Sequence, residues 1–490
     1  MRLNITIALM VALVLMACHK DNGNYSYHSL NEITISAASD TLYIRQFDTV
    51  TVAPVVTQVK ADTGRLLYSW YYYSEDAGQP IPTQYISKKR VLIAQIGAAP
   101  GHYSLHLKVT DSVTGVSEYH AFEMIVTTSI AEGWLALYDV AADSSDAALI
   151  LTSGQTLYNL YSNANYRHLA GQSRSITNYT ADWHKQYIFC LTSKEGDYIS
   201  PLDFTTLVNF DSAFYGPPSS NNYQVLLPNP DGDFINDYLI IDAKVYTRTW
   251  AGPFSVPKYG AALEGDYQAA PYVLGSPYYN FGPYPAVIYD ESHHKFLYVP
   301  LNTSSFVSYP DNDTAAFNLN NMGNRTLRFA YNNSTGQATT VFKNTANDSC
   351  YVYTMDFTQT SPALTEKAVA NSPAMGGAAF FDISPTLPMI YYVNGANLYK
   401  YDIQANSSTL LYTFPAGATV TALKMLNPPR PPSYNPVNLG KRLAVATYDG
   451  TAGTVYEFSI TPTGAFDGNS YLHQYTGFGK VNSLFYKLQL

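Results

Sequence analysis

Three groups of residues have the types that chemistry needs. In "NPDGDFIND" (229–237), Asn229, Asp231, Asp233 and Asp237 place carboxylates around a glycine. Such a run can wrap Ca²⁺, which takes six to eight oxygen ligands. The glutamate that closes an EF-hand loop is missing, so the spacing favours an acidic turn; no cofactor is expected, with Ca²⁺ the one ion this run would suit. His102 and His106 share a strand face in "GHYSLHLKVTDSVTG" (101–115), but four residues at about 3.3 Å each put them ~13 Å apart, too far for one metal. Glu291, His293 and His294 follow a strand-like run, where adjacent histidines would point to opposite faces. The sequence has no H-E-x-x-H, no G-x-S-x-G and no glycine-rich phosphate loop with its lysine, so it nominates no catalytic residue. A carboxylate pair assembled from distant segments is left open.

The aromatic residues offer a different chemistry. "DYQAAPYVLGSPYYNFGPYPAVIY" (266–289) carries Tyr272, Tyr278, Tyr279, Phe281 and Tyr284 among prolines and glycines. Rings on such stiffened loops can stack on sugar rings or peptide side chains, although packing between sheets is their commoner use. The chain holds 44 tyrosines in 490 residues, and most of that excess is what a large all-β protein requires. The net charge of −9 includes no basic stripe, which excludes a nucleic-acid partner. Cys190 and Cys350 sit in strand-like text and read as small buried side chains.

The third cysteine is different. Ile5–Met16 is a short apolar run behind Arg2, too short to span a bilayer and suited to a cleaved signal peptide over 1–17. Leu15-Met16-Ala17-Cys18 resembles a bacterial lipobox, with Met16 where a small residue is usual. Cys18 is then the acylated first residue, and 18–30 the tether. Two acyl chains at about 0.8 kcal/mol per buried methylene anchor stably. His19-Lys20-Asp21 resembles the charged signal that sends Bacteroidetes lipoproteins to the cell surface.

The elements that would position these residues are strands. Tyr103, Leu105, Leu107 and Val109 alternate with His102, Ser104, His106 and Lys108, and Asp111–Gly115 supplies a turn before "EYHAFEMIVTT". "RLLYSWYYYS" places Tyr68, Trp70 and Tyr72 on one face. Residues 31–128 therefore predict an immunoglobulin-like β-sandwich that resembles the polycystic-kidney-disease (PKD) type. From 130 to 490 strand-like patches recur at roughly the blade spacing of kelch or WD repeats, without helical periodicity. That pattern predicts a β-propeller of seven blades, with six or eight blades or stacked sandwiches as the alternatives, and radial closure would protect its strand edges. Asn394-Gly395 between two alternating runs predicts a type I′ hairpin.

Together the lipobox cysteine with "KDNGNYSYHSLNEITI" (20–35), the sandwich strands, "EGWLALYD" (132–139) and "YTGFGKVNSLFYKL" (475–488) resemble the PKD-like family lipoproteins of Bacteroidetes. The resemblance implies an outer-membrane, lipid-anchored protein facing the cell exterior. Its implied partners are a Sus-type TonB-dependent transporter and that transporter's lid lipoprotein. It supplies no catalytic residues. Three functions follow as expectations: capture of an oligosaccharide or peptide, protein docking within the uptake complex, or polysaccharide hydrolysis or lysis by a propeller.

Overall fold

The computed structural model describes residues 31–488, except for 61–65, 75–82, 99–100, 128–129, 131, 183–184, 217, 219, 221, 228–235, 250–257, 277–281, 301–302, 334, 373 and 429–436. Cys18, the leader and the tether therefore lie outside the described residues. The chain divides into two compact units. One comprises the described residues of Met1–Tyr43 with Thr49–Ala94 and His102–Ile125; the other comprises Ile44–Asp48, Gln95–Gly101 and Val126–Leu490.

In the first unit a five-stranded sheet runs in the order Thr41–Arg45, Ser117–Thr127, Gly101–Asp111, Leu66–Ser74, Gln84–Ser87. Two strand pairs accompany it, Ile33–Ser36 with Val55–Gln58 and Thr49–Val52 with Leu92–Gln95. The alternation read in Gly101–Asp111 holds: Tyr103, Leu105, Leu107 and Val109 are all buried. Trp70 is fully buried, stacked on Phe122 at 5.7 Å, and its indole N–H donates to the Lys89 carbonyl at 2.9 Å. A buried indole needs such an acceptor, because an unpaired donor costs about as much as a lost hydrogen bond. Asp111 closes the following turn by accepting from the Val113 amide and the Thr114 hydroxyl, and Asn31 donates to it from 80 residues away. The Asn31 amide, then the turn amides, hold its carboxyl below the usual range.

The second unit is built from seven antiparallel sheets among the described residues. The second to seventh are meanders of consecutive strands, for example Arg325–Asn332, Gln337–Asn344, Cys350–Asp356 and Ala363–Ala368. The first sheet breaks sequence order. Its strand Gly133–Ala141 pairs on one side with Ser144–Leu151 and on the other with Lys480–Lys487, from the far end of the chain. Each apolar cluster is shared by two neighbouring sheets. Leu135, Leu137 and Ala147 of the first sheet pack with Ile176 and Ile188 of the second; Trp134, Val481 and Tyr486 pack with Ala422, Ala444 and Val455 of the seventh. Carboxylate side chains also stitch sheet to sheet. Asp139 accepts from the Ser173 amide and hydroxyl, both at 2.7 Å, and Asp382 accepts from the Met425 amide at 2.8 Å.

The hairpin at 394 forms one residue out of the expected phase. Asn394 pairs with Asn397, so Gly395 and Ala396 make the loop, and of these two only Gly395 has positive φ. That is the requirement of a type II′ turn, with glycine first, rather than type I′. Conversely, Asp242 and Ala243 both adopt positive φ, at 49° and 57°, in a tight turn without any glycine to announce it.

The tyrosine excess is spent on the core. Tyr161, Tyr259, Tyr267, Tyr289, Tyr353, Tyr391, Tyr392 and Tyr401 are among the largest fully buried side chains. Burial pushes the hydroxyls of Tyr198, Tyr267 and Tyr272 up to about 12. A folded-state value raised above the unfolded value of about 10 contributes stability that is complete below pH 10 and lost as pH rises towards 12. Lys487 acts in the opposite sense at lower pH. Burial pushes it down to about 8, against the pull of Glu132, so the unfolded chain binds the extra proton between about pH 8 and 10.4. The expected profile for the second unit is flat or slightly rising from pH 8 to 10, then steeply falling from 10 to 12. Denaturant midpoints measured across that range check it; a midpoint still level at pH 12 would contradict it.

Candidate functional site

A cavity of about 170 Å³ lies between the segment leading into the fourth sheet and loops flanking the fifth. Its wall comes from Tyr284, from the loop between Tyr309 and Asn320, and from the turn between Thr360 and Ala363. That loop holds its shape through asparagine side chains. Asn320 accepts from the Tyr309 amide at 3.1 Å and donates back to the Tyr309 carbonyl at 2.9 Å. Asn312 caps its own turn, accepting from Thr314, and donates to the Ser361 hydroxyl at 2.8 Å. Asn and Asp do this readily because their short side chains mimic a backbone turn.

The rings behind the cavity are mutually packed. Tyr284 lies 4.8 Å from Tyr309 and 4.8 Å from Tyr298, and Tyr298 and Tyr309 are 4.9 Å apart. The Tyr284 hydroxyl donates to the Thr360 carbonyl at 2.8 Å. Tyr309 is 6% exposed, and its hydroxyl has no hydrogen-bond partner. Burial raises the hydroxyl pKa of both residues, so both stay protonated donors at neutral pH. Asp311 supplies the single carboxylate of the wall, and no lysine, arginine or histidine contributes to it.

Of the five aromatic residues singled out in the sequence, the structure places two. Tyr284 is a buried core ring whose edge reaches the cavity. Tyr272 packs against the core, donates to the Arg328 carbonyl at 3.2 Å and does not line the cavity. Tyr278, Tyr279 and Phe281 lie outside the described residues. Tyr309, Phe317 and the asparagines escaped the sequence reading, although "SYPDNDTAAFNLNNMGN" (308–324) carries the signal, a proline turn followed by repeated Asn and Asp.

Of the acidic run, Asn229, Asp231 and Asp233 lie outside the described residues. Asp237 is taken up by an ion pair. It is fully buried and salt-bridged to Arg248, Oδ2 lying 2.5 Å from Nη2 and 2.6 Å from Nε. The guanidinium sits over the rings of Tyr198 at 4.6 Å and Tyr259 at 5.5 Å. Both charges are therefore spoken for inside the core. Among the described residues no group of three His, Cys, Asp or Glu side chains is arranged to hold a metal ion. His106 is stacked between Tyr71 and Tyr73 and bonds the Tyr73 hydroxyl at 3.0 Å, while His102 faces Glu123 at 4.0 Å. Glu291, His293 and His294 fall in the turn between two strands rather than on a strand, and His293 bonds buried Asp290 at 2.6 Å. Cys190 and Cys350 are free and buried.

Residues 18–173 match the PKD-like family, the resemblance read from the sequence, and the match begins at Cys18. No curated protein sequence matches the chain. Among solved structures, a quinonprotein alcohol dehydrogenase-like protein from Bacteroides thetaiotaomicron aligns with a TM-score of 0.52 at 12% identity, covering 93% of this chain and 99% of that one. At that identity the likeness is one of fold. A DUF4623 family protein from Bacteroides eggerthii covers 93% of this chain and 86% of its own at 10% identity, but its TM-score of 0.30 is too low to bear on the fold.

Proposed function

We propose that this protein is a surface-exposed outer-membrane lipoprotein, an accessory binding component of a Sus-type uptake system that captures an oligosaccharide or peptide. Its second unit is a seven-bladed β-propeller in this reading. The observation that carries the location is Cys18, which ends a short apolar run and stands at the first residue of the PKD-like match. A cleaved, diacylated cysteine followed by a polar tether holds a rigid body outside the membrane. The propeller is supported by seven sheets whose cores are shared in succession, the first with the second and with the seventh. It is also supported by the terminal strand Lys480–Lys487 entering the first sheet.

Intact-mass and proteolytic mass spectrometry of the mature protein tests the location. The expected product begins at Cys18 and carries acyl chains, and intact cells lose the protein to external protease. In Cys18→Ser the membrane-bound fraction should fall from nearly all to nearly none, because one peptide tether without acyl chains has no bilayer affinity of its own. An unacylated wild-type Cys18 would end the proposal.

A further inference from the structure

We infer that the end of the first unit at which the chain enters rests on the lipid headgroup layer, through Val59, Leu67 and Val113. The inference rests on the acylated Cys18 proposed above, and it adds a second contact with the same membrane. The entry point is clamped. Asn31 is buried and donates to Asp111 Oδ2 at 3.0 Å and to the Gln58 side-chain oxygen at 2.9 Å. The Lys60 amide donates back to Asn31 Oδ1 at 2.9 Å. The thirteen residues 18–30 before this clamp span no more than about 47 Å at full extension. Ser117–Thr127 starts beside the clamp, with the Ser117 and Thr110 hydroxyls bonded at 2.8 Å. Its eleven residues then carry the chain about 33 Å away. The clamped end is therefore the part of the unit with the shortest path to the bilayer.

Three large apolar side chains stand in the open around that clamp. Val59 is 71% exposed, Val113 69% and Leu67 54%. Val59 lies between Gln58 and Lys60, both bonded to Asn31. The Val113 amide donates to Asp111 Oδ1 at 2.9 Å, and Leu67 stands opposite Thr110, the residue before Asp111. A lone exposed apolar residue needs no explanation, but a group at one end of a sheet marks a contact. The turn carrying Val113 has its polar groups occupied. Asp111 also accepts from the Thr114 hydroxyl at 3.0 Å, and the Gly115 amide donates to the Asp111 carbonyl at 2.8 Å. A loop entering a lipid interface needs that, because water is scarcer there to complete its backbone. The charged side chains beside it, Glu32, Lys60, Asp111 and Glu118, make no basic patch. Apolar contact, and not attraction to anionic lipid, therefore supplies the affinity. That contact is too small to hold the protein alone, and it acts because the anchor keeps it concentrated at the surface.

The test places the acylated protein on phosphatidylcholine vesicles that contain a diazirine-bearing lipid, and maps the carbene label by mass spectrometry. The control is Tyr85, which is 75% exposed and opposite Tyr71, about 13 Å along the strand from Leu67. Val59, Leu67 and Val113 should take up about fivefold more label than Tyr85. Adding phosphatidylglycerol should leave that pattern unchanged. The variant with Val59→Ser, Leu67→Ser and Val113→Ser should keep the wild-type thermal midpoint, since exposed side chains add little to the fold. It should stay on the vesicles through its acyl chains and lose most of the label around the clamp. Label no stronger at the clamp than at Tyr85, label that requires anionic lipid, or a serine variant labelled like wild type would each overturn the inference. So would a clamp shielded from aqueous reagents on intact cells but unlabelled on vesicles, because a protein would then be its cover. A native Cys18 without acyl chains sinks the location and this inference together, whereas an acylated protein whose clamp takes no label sinks this inference alone.

Discussion

Replacing Arg248 with methionine is expected to destabilise the second unit by about 3–5 kcal/mol, the cost of breaking a buried ion pair by removing one member. Asp237 is fully buried and directly opposite Arg248 in the register of two neighbouring strands. Without the guanidinium its carboxyl must ionise in a dry core or take up a proton. Methionine fills much of the same space, so a cavity contributes little to the loss. The rings of Tyr198 and Tyr259, joined by a 2.8 Å hydroxyl–hydroxyl bond, lose the cation above them as well. The double variant Asp237→Leu with Arg248→Met should recover most of the loss, since an apolar pair of similar volume often matches a buried ion pair. Calorimetry suits the measurement because two units can melt in two transitions, which a single two-state fit would blur. If the single variant melts like wild type, the pair is not buried as described.

That pair shows why part of the site was not legible in the sequence. Asp237 was visible as one acid in a run of four polar residues, and a turn was the reasonable reading. Its cation stands eleven residues on, and the two meet only because Asn236–Ile241 and Lys244–Thr249 form a hairpin. The turn of that hairpin is Asp242-Ala243, with positive φ at residues that seldom adopt it, so no glycine marked the fold-back. Where the period of two was strong the reading held, as in Gly101–Asp111 with its four buried alternate residues. Trp70 likewise took the core position its strand predicted. The cavity was missed for a different reason. The eye goes to rings in a Pro/Tyr-rich loop, but Tyr272 and Tyr284 are drawn into the core. The wall is instead made by asparagines folding a loop back on Tyr309. Turn chemistry of that kind is written in the sequence, but what it encloses depends on a tyrosine in another segment.

Ending the chain at Gly479 should abolish the cooperative transition of the second unit. The strand Lys480–Lys487 is the partner of Gly133–Asp139 along seven residue pairs. Val481, Leu484 and Tyr486 within it, and Leu488 just beyond, are all buried. At about 1.5–3 kcal/mol for each large apolar side chain removed from water, their loss amounts to about 6–12 kcal/mol, comparable with the 5–15 kcal/mol that holds a whole domain together. The polar ties go with them. Ser483 accepts from the Ile176 amide, Asn482 donates to Asp139 and Ser173, and the Tyr486 hydroxyl donates to Glu132 at 2.7 Å. One strand therefore links the first sheet to the second by hydrogen bonds and to the seventh through the core of Trp134, Ala422 and Ala444. If the sheets are blades in a closed ring, removing it opens the ring at one seam and bares a long strand edge, so aggregation should accompany the loss. A conservative Val481→Ala should cost only about 1.5–3 kcal/mol and leave one sharp transition, which separates loss of closure from loss of two buried methyl groups. A chain ending at 479 that still melted sharply and stayed monomeric would mean the seven sheets stand as an open row.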